Sequence, residues 1–89
     1  MIFEQKGVLI VMFESDTCMF CKDVYGIIQT IKKLKPNVKS IIINVSKNMD
    51  IAIQHSVNQV PTVDIYLNGD LIDRIVGNNP LGTYMRKIA

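Results

Sequence analysis

Hydrophobic residues fall along this chain in blocks, and their spacing changes character from one block to the next. Val8 to Phe13 is an unbroken apolar run, bounded by Gly7 in front and Glu14-Ser15-Asp16 behind. A run this short suits a strand buried on both faces better than a helix. From Cys18 onward the period changes. Val24, Ile27, Ile28, Ile31 and Leu34 recur at steps of three and four, which is one apolar face of a helix. Ser15, Asp16 or Thr17 can supply its N-cap oxygen, and Pro36 with Asn37 stops it. Lys22, Asp23, Gln29, Thr30, Lys32 and Lys33 take the solvent side.

Ser40 to Val45 is β-branched and largely apolar, a second buried strand. A short helix follows over Met49 to Ser56, with Asn48 as its cap. Thr62 to Leu67 then alternates, Asn68-Gly69 turns, and Leu71 to Val76 returns. An Asn-Gly pair between two such runs signals a hairpin, because a type I′ turn needs positive φ at both central residues. Gly77 closes the hairpin. Asn79 caps the last helix, Pro80 takes its first position, and Leu81, Tyr84, Met85 and Ile88 share one face. The order β-α-β-α-β-β-α predicts an α/β fold. A right-handed crossover makes the first two strands parallel, the hairpin adds antiparallel strands, and helices cover both faces of the resulting four-stranded mixed sheet.

Composition narrows the class. Eighty-nine residues make one small domain, residues 1–89, with no repeat or linker inside it. With 48% hydrophobic and 20% charged residues the chain lies outside the disordered range. Its apolar runs are far too short to span a membrane. Glu4, Gln5 and Lys6 stand ahead of the first run and no small-residue cleavage site follows it, so no secretory signal is expected. A net charge of +2 argues for neither nucleic acid nor an anionic surface as partner. Lys32, Lys33, Lys35 and Lys39 read as a solvated helix end, and Tyr25, Tyr66 and Tyr84 as half-buried packing.

Only one segment carries chemistry. Cys18-Met19-Phe20-Cys21 falls where the first strand gives way to the first helix. A helix N-terminus presents unpaired N–H groups and a partial positive charge of about +0.5. A thiolate gains more from these than a thiol does, so the cysteine pKa falls and its nucleophilicity at neutral pH rises. The two intervening residues put the second sulfur about one turn away. Cys18, first and more exposed, then attacks a substrate disulfide, and Cys21 resolves the mixed disulfide. Three plainer readings stand beside this one. A structural staple over so small a loop removes little chain entropy. Zinc asks for about four ligands, and only two cysteines and a distant His55 are on offer. Two unrelated buried cysteines are the third.

On these residues the chain resembles the thioredoxin family over nearly its whole length. Four features carry the resemblance: the Val8–Phe13 strand before the cysteine pair, Val60-Pro61-Thr62 opening the third strand, the Tyr66-Leu67-Asn68-Gly69-Asp70 hairpin, and Gly77 before the last helix. The resemblance implies a redox-active disulfide between Cys18 and Cys21 and no bound cofactor. It implies a cis proline at Pro61 facing the dithiol, with the backbone of Val60 pairing with an extended substrate. Met19, Phe20 and Gly77 complete the substrate-facing set. Without the family, Pro61 reads simply as the first residue of a strand.

Departures from the family pattern are equally informative. The familiar Trp-Cys-Gly-Pro-Cys is Thr17-Cys18-Met19-Phe20-Cys21 here. The buried aspartate six residues before the first cysteine is Met12, and its lysine partner on the next strand is Ile42. Glu14 or Asp16 is a substitute for that carboxylate or else a solvated loop charge. Residues 1–6 are too few for the family's additional leading strand and helix, so a truncated form is expected, close in size to glutaredoxins and to small thioredoxins of phages and archaea.

The function implied is reduction of protein disulfides, ribonucleotide reductase among them by analogy, by a monomer recharged by a flavin-dependent thioredoxin reductase. The location implied is the cytoplasm, a host's cytoplasm for a phage-encoded chain. A glutaredoxin-like alternative uses glutathione as reductant. It is supported by Phe20 beside Cys21, and by Gly77-Asn78-Asn79 as a cradle for a glutathione carboxylate. A third reading makes the chain a thioredoxin-fold binding subunit whose cysteines are incidental.

Overall fold

The computed structural model describes residues 5–88. Seven elements follow one another: β1 (Val8–Glu14), α1 (Cys21–Leu34), β2 (Lys39–Asn44), α2 (Met49–Gln54), β3 (Thr62–Leu67), β4 (Asp70–Val76) and α3 (Leu81–Ile88). The expected order is therefore observed. Glu4 and the rest of residues 1–4, on which the signal and truncation arguments partly rested, lie outside the described residues.

The strands form one sheet in the order β2-β1-β3-β4. β2 runs parallel to β1, from Leu9 beside Lys39 to Glu14 beside Asn44. β3 runs antiparallel to β1, from Val8 beside Leu67 to Phe13 beside Thr62, and β4 antiparallel to β3. The C-terminal ends of β1, β2 and β4 and the N-terminal end of β3 thus share one edge of the sheet, and the cysteine segment leaves β1 there.

Strand alternation explains why Val8–Phe13 is apolar without a break. Ile10 and Met12 point to one face, where Val63, Ile65 and Ile75 meet Val24, Ile28 and Ile31 of α1 and Tyr84 and Ile88 of α3. Leu9, Val11 and Phe13 point to the other, where they pack with Ile43 and Tyr66, and with Ile51 of α2 at the margin. Both faces are covered, so β1 has no polar side. Of the lysines expected at a solvated helix end, Lys32 and Lys33 occupy the last turn of α1, where cations complement the helix dipole, and Lys35 is its C-cap, whereas Lys39 begins β2.

The β3–β4 hairpin turns at Asn68 (φ +52°) and Gly69 (φ +90°), the two positive values a type I′ turn needs. Beyond the turn β4 pairs irregularly with β3. Tyr66 faces Leu71 but Ile65 faces Asp73, leaving Ile72 as the extra residue of a bulge. A slip of one residue exchanges the faces of everything that follows. Here it turns Ile75 into the α1–α3 core and sets Arg74 opposite Asp64.

Two expectations about side chains need correction. Tyr66 and Tyr84 are 3% and 0% exposed rather than half-buried; only Tyr25 reaches solvent. Burial raises the pKa of both buried hydroxyls, most for want of solvation; the Asp64 charge adds to the effect at Tyr66. The Tyr84 hydroxyl makes no hydrogen bond, although the Asn79 amide is near enough to offset part of the shift. The predicted caps also differ. Asn48 makes no side-chain cap bond and instead donates to the Asn44 carbonyl (3.0 Å). The Asn79 amide donates backward to the Val76 and Gly77 carbonyls (3.0 and 3.3 Å).

Candidate active site

Between β1 and α1 the chain makes a turn in which the Cys18 N–H donates to the Ser15 carbonyl (3.3 Å). The helix begins at Cys21, three residues later than the change of period suggested. Phe20 occupies the N-cap with near-helical backbone (φ −95°, ψ −1°) and no side chain caps the first turn. Neither Ser15, Asp16 nor Thr17 does so. Asp16 accepts a hydrogen bond from the Asn44 amide instead (2.7 Å). The first-turn N–H groups of α1 are therefore left without a side-chain acceptor, and the cysteine pair lies across that end.

Cys18 and Cys21 are joined in a disulfide (S–S 2.06 Å, Cα–Cα 5.5 Å). Cys21, the first helical residue rather than one a full turn in, is 6% exposed and belongs to the same apolar cluster as Met12 and Val24. Cys18 is only partly buried and packs at the margin of that cluster, as does Val60. Met19 and Phe20, between the two cysteines, stand out into solvent at 82% and 48% exposure.

The segment just before β3 borders the same cluster through Val60. Val60–Pro61 is a cis peptide bond. Pro61 accepts a hydrogen bond from the Gly77 N–H (2.8 Å), which carries the β3–β4 ladder one step past β4. Gly77 has φ +85°, a conformation that side-chain-bearing residues rarely adopt. Of the residues singled out from sequence, Cys18, Cys21 and Val60 meet in one cluster, Pro61 and Gly77 are tied to each other beside it, and Met19 and Phe20 form an outward apolar tip.

Two depressions flank the turn, with Ser15 common to both. One, of about 480 Å³, exposes both cysteines among Glu14, Asp16, Lys22, Tyr25 and Ile42. Glu14 and Asp16 thus stand at the rim of the cysteine cleft. Met12 lies fully buried beside Cys21 in the cluster, and Ile42 is its neighbour across the β1–β2 ladder. The other depression, of about 320 Å³, is apolar and runs along α2 over Val45, Met49, Ala52, Ile53, Val57 and Val60. The sequence reading missed it. Met49 and Ile53 are 65% and 74% exposed, and their excess over what the helix buries was the available signal.

Missed as well was a buried ion pair. Asp64 has no exposure at all, and Arg74 meets it through Nε (2.6 Å to Oδ1) and Nη2 (2.8 Å to Oδ2). The hydrogen bonds to Asp64 raise the Arg74 pKa further, against the cost of burial. Among the described residues no group of three or more His, Cys, Asp or Glu could hold a metal ion, and no helix is long and apolar enough to cross a membrane.

A disulfide across two intervening residues, at the start of the helix that follows an interior strand of a mixed sheet, has the layout of a thiol–disulfide oxidoreductase. The thioredoxin family model matches residues 1–89. A thioredoxin of Griffithsia pacifica is 26% identical over 88 residues, covering 98% of this chain and 81% of the relative. One from Rickettsia felis is 30% identical over 77 residues, 85% of this chain and 73% of the relative. Among solved structures, oxidised mitochondrial thioredoxin 3 of Saccharomyces cerevisiae superposes with a TM-score of 0.87 at 25% identity, over 98% of this chain and 81% of that one. The chain belongs to the thioredoxin family, and its disulfide supplies the oxidoreductase chemistry of that family.

Proposed function

We propose that the protein reduces disulfides in other proteins, with Cys18 as nucleophile and Cys21 as resolving thiol. In the reduced state the Cys18 thiolate attacks one sulfur of a client disulfide. The client S–S bond breaks, its second sulfur leaves as a thiolate, and a mixed disulfide forms. The Cys21 thiolate then attacks the Cys18 sulfur, releases the first client sulfur, and leaves the Cys18–Cys21 bond of this structure. Two electrons pass from the pair to the client. The observation that carries this reading is the unequal burial of two bonded sulfurs at an uncapped helix start, Cys18 being the accessible one.

The client's extended chain pairs with the Val60 backbone before cis-Pro61, and its apolar side chains find the α2 groove or the Met19-Phe20 tip. The reductant is a flavin-dependent thioredoxin reductase, and ribonucleotide reductase is a fitting client by family analogy. The protein works as a single-domain monomer without bound cofactor, in the cytoplasm, where a dithiol is kept reduced. Glutathione is the weaker candidate for the reductant. The Gly77 N–H that would grip its carboxylate is spent on Pro61, and the Asn79 amide on the loop carbonyls.

Serine substitutions at each cysteine test this. Cys18→Ser abolishes turnover of a protein disulfide, while Cys21→Ser keeps the first step and traps a mixed disulfide. A partner's activity that survives Cys18→Ser intact would overturn the reading in favour of a binding subunit. Turnover with glutathione but not with the reductase would establish the glutaredoxin-like alternative.

A further inference from the structure

We infer that the Asp64–Arg74 pair positions the client-binding edge of the site, by holding the segment from His55 to Val60 through the His55 and Ser56 backbone carbonyls. The inference rests on the oxidoreductase reading above and names two positioning residues for it. Neither touches the cysteines.

The Arg74 side chain makes four hydrogen bonds in two directions. Two go to the carboxylate of Asp64; the others go to the carbonyls of His55 (2.6 Å, from Nη2) and Ser56 (3.1 Å, from Nη1), just past the end of α2. That helix is a six-residue piece whose carbonyls at Ile51, Ala52 and Ile53 are taken by the N–H groups of His55, Val57 and Ser56, so the His55 and Ser56 carbonyls that Arg74 reaches lie just beyond its own ladder. Ser56 takes a left-handed backbone (φ +57°), and the Val57 N–H turns back to the Ala52 carbonyl (2.8 Å). At the far end the Thr62 hydroxyl donates to the Gln59 carbonyl (2.6 Å). The residues between these anchors, Val57 to Val60, form one wall of the apolar groove and lead into the cis bond.

A pair kept only for stability has no need of charge. Two buried apolar residues of similar size serve as well or better, because ions lose hydration on burial. A guanidinium fork supplies what they lack, fixed donors in one plane that hold a carboxylate and two carbonyls together. The β4 bulge at Ile72 is what brings Arg74 opposite Asp64, so the device uses a local irregularity of the sheet as well as two residues.

Two variants separate positioning from stability. Arg74→Lys keeps a charge beside Asp64 but cannot span both partners. The double variant Asp64→Leu with Arg74→Met leaves no unpaired buried charge and serves should the single change unfold the protein. With dithiothreitol as reductant, each is assayed on insulin and on a small aromatic disulfide that needs no groove. We expect both variants to reduce the small disulfide as the wild type does. Their KM for insulin rises about fivefold (about 1 kcal/mol) with kcat unchanged. The Val57 amide exchanges its hydrogen about tenfold faster while β3 amides stay protected. An unchanged KM for insulin in both variants would overturn the inference, as would equal loss on both disulfides. A wild type inactive on both disulfides would instead defeat the oxidoreductase reading, and the inference with it.

Discussion

Met12 and Asp64 lie on adjacent strands, both fully buried, facing opposite sides of the same sheet. At Met12, in the same apolar cluster as Cys21, the resemblance led one to expect a carboxylate and the chain has a thioether, with Ile42 where the lysine partner belonged. At Asp64, on the α2 side, an alternating strand presents a carboxylate that is sealed in and paired with Arg74. The apolar face offers Cys21 no buried carboxylate, and the acidic residues near the pair, Glu14 and Asp16, stand at the rim of the cleft. The polar face binds no proton of the reaction and fixes backbone instead. A buried charge is retained where it has hydrogen-bond partners in two elements, and is absent where burial alone would hold it.

The comparison breaks most visibly when one partner of the pair is removed. Asp64→Leu alone leaves Arg74 without its carboxylate and costs about 3–5 kcal/mol in chemical denaturation. A cost below 1 kcal/mol would mean the pair is effectively solvated. Met12→Asp makes the opposite change, burying a carboxylate among Cys21, Val24 and Val63 without a lysine. It should lose about 1–3 kcal/mol and change the pH dependence of turnover. An unaltered pH profile and melting temperature would separate Met12 from the dithiol.

Smaller changes sharpen the picture on the α2 side. Ser56 adopts a left-handed conformation that favours glycine, so Ser56→Gly should stabilise by about 0.5–1 kcal/mol and leave the Arg74 contact in place. A lower melting temperature would show that the serine side chain contributes something the backbone does not. Asp73 offers the mildest test. A hydrogen bond from Lys87 (2.9 Å), with a second from the Arg74 N–H, holds its carboxyl below the usual range. Its contribution is complete above the unfolded value near 3.9 and disappears as pH falls through the lower folded value. Asp73→Asn should therefore lower stability slightly at neutral pH, by less than about 1 kcal/mol for so exposed a pair, and make no difference once the pH lies below the folded value. A deficit that persists in acid would contradict this.

Most of the fold was legible because its signals are local and agree with one another. Val8–Phe13, the i, i+3, i+4 face of α1 and the Asn68-Gly69 turn each have one physical solution, and together they fix the order of elements. What escaped depends on contacts between distant residues. Asp64 read as the polar member of an alternating strand, because nothing nearby in sequence announces that Arg74 will cover it. Nor does any residue type announce the bulge at Ile72 that brings Arg74 there. The start of α1 was misjudged by three residues because Phe20, no capping residue, occupies the N-cap. The cysteine spacing and Val60-Pro61 were legible for a different reason: they form a pattern of residue types, and the geometry that pattern implies is present.

The thiolate at the head of α1 is the claim on which the chemistry depends. In fully reduced protein, the rate of alkylation at Cys18 as a function of pH reports its ionisation directly. The uncapped helix start predicts a midpoint below the ~8.5 of a free cysteine, with Cys21 reacting more slowly throughout. A Cys18 midpoint at or above that value, or faster reaction at Cys21, would contradict the account.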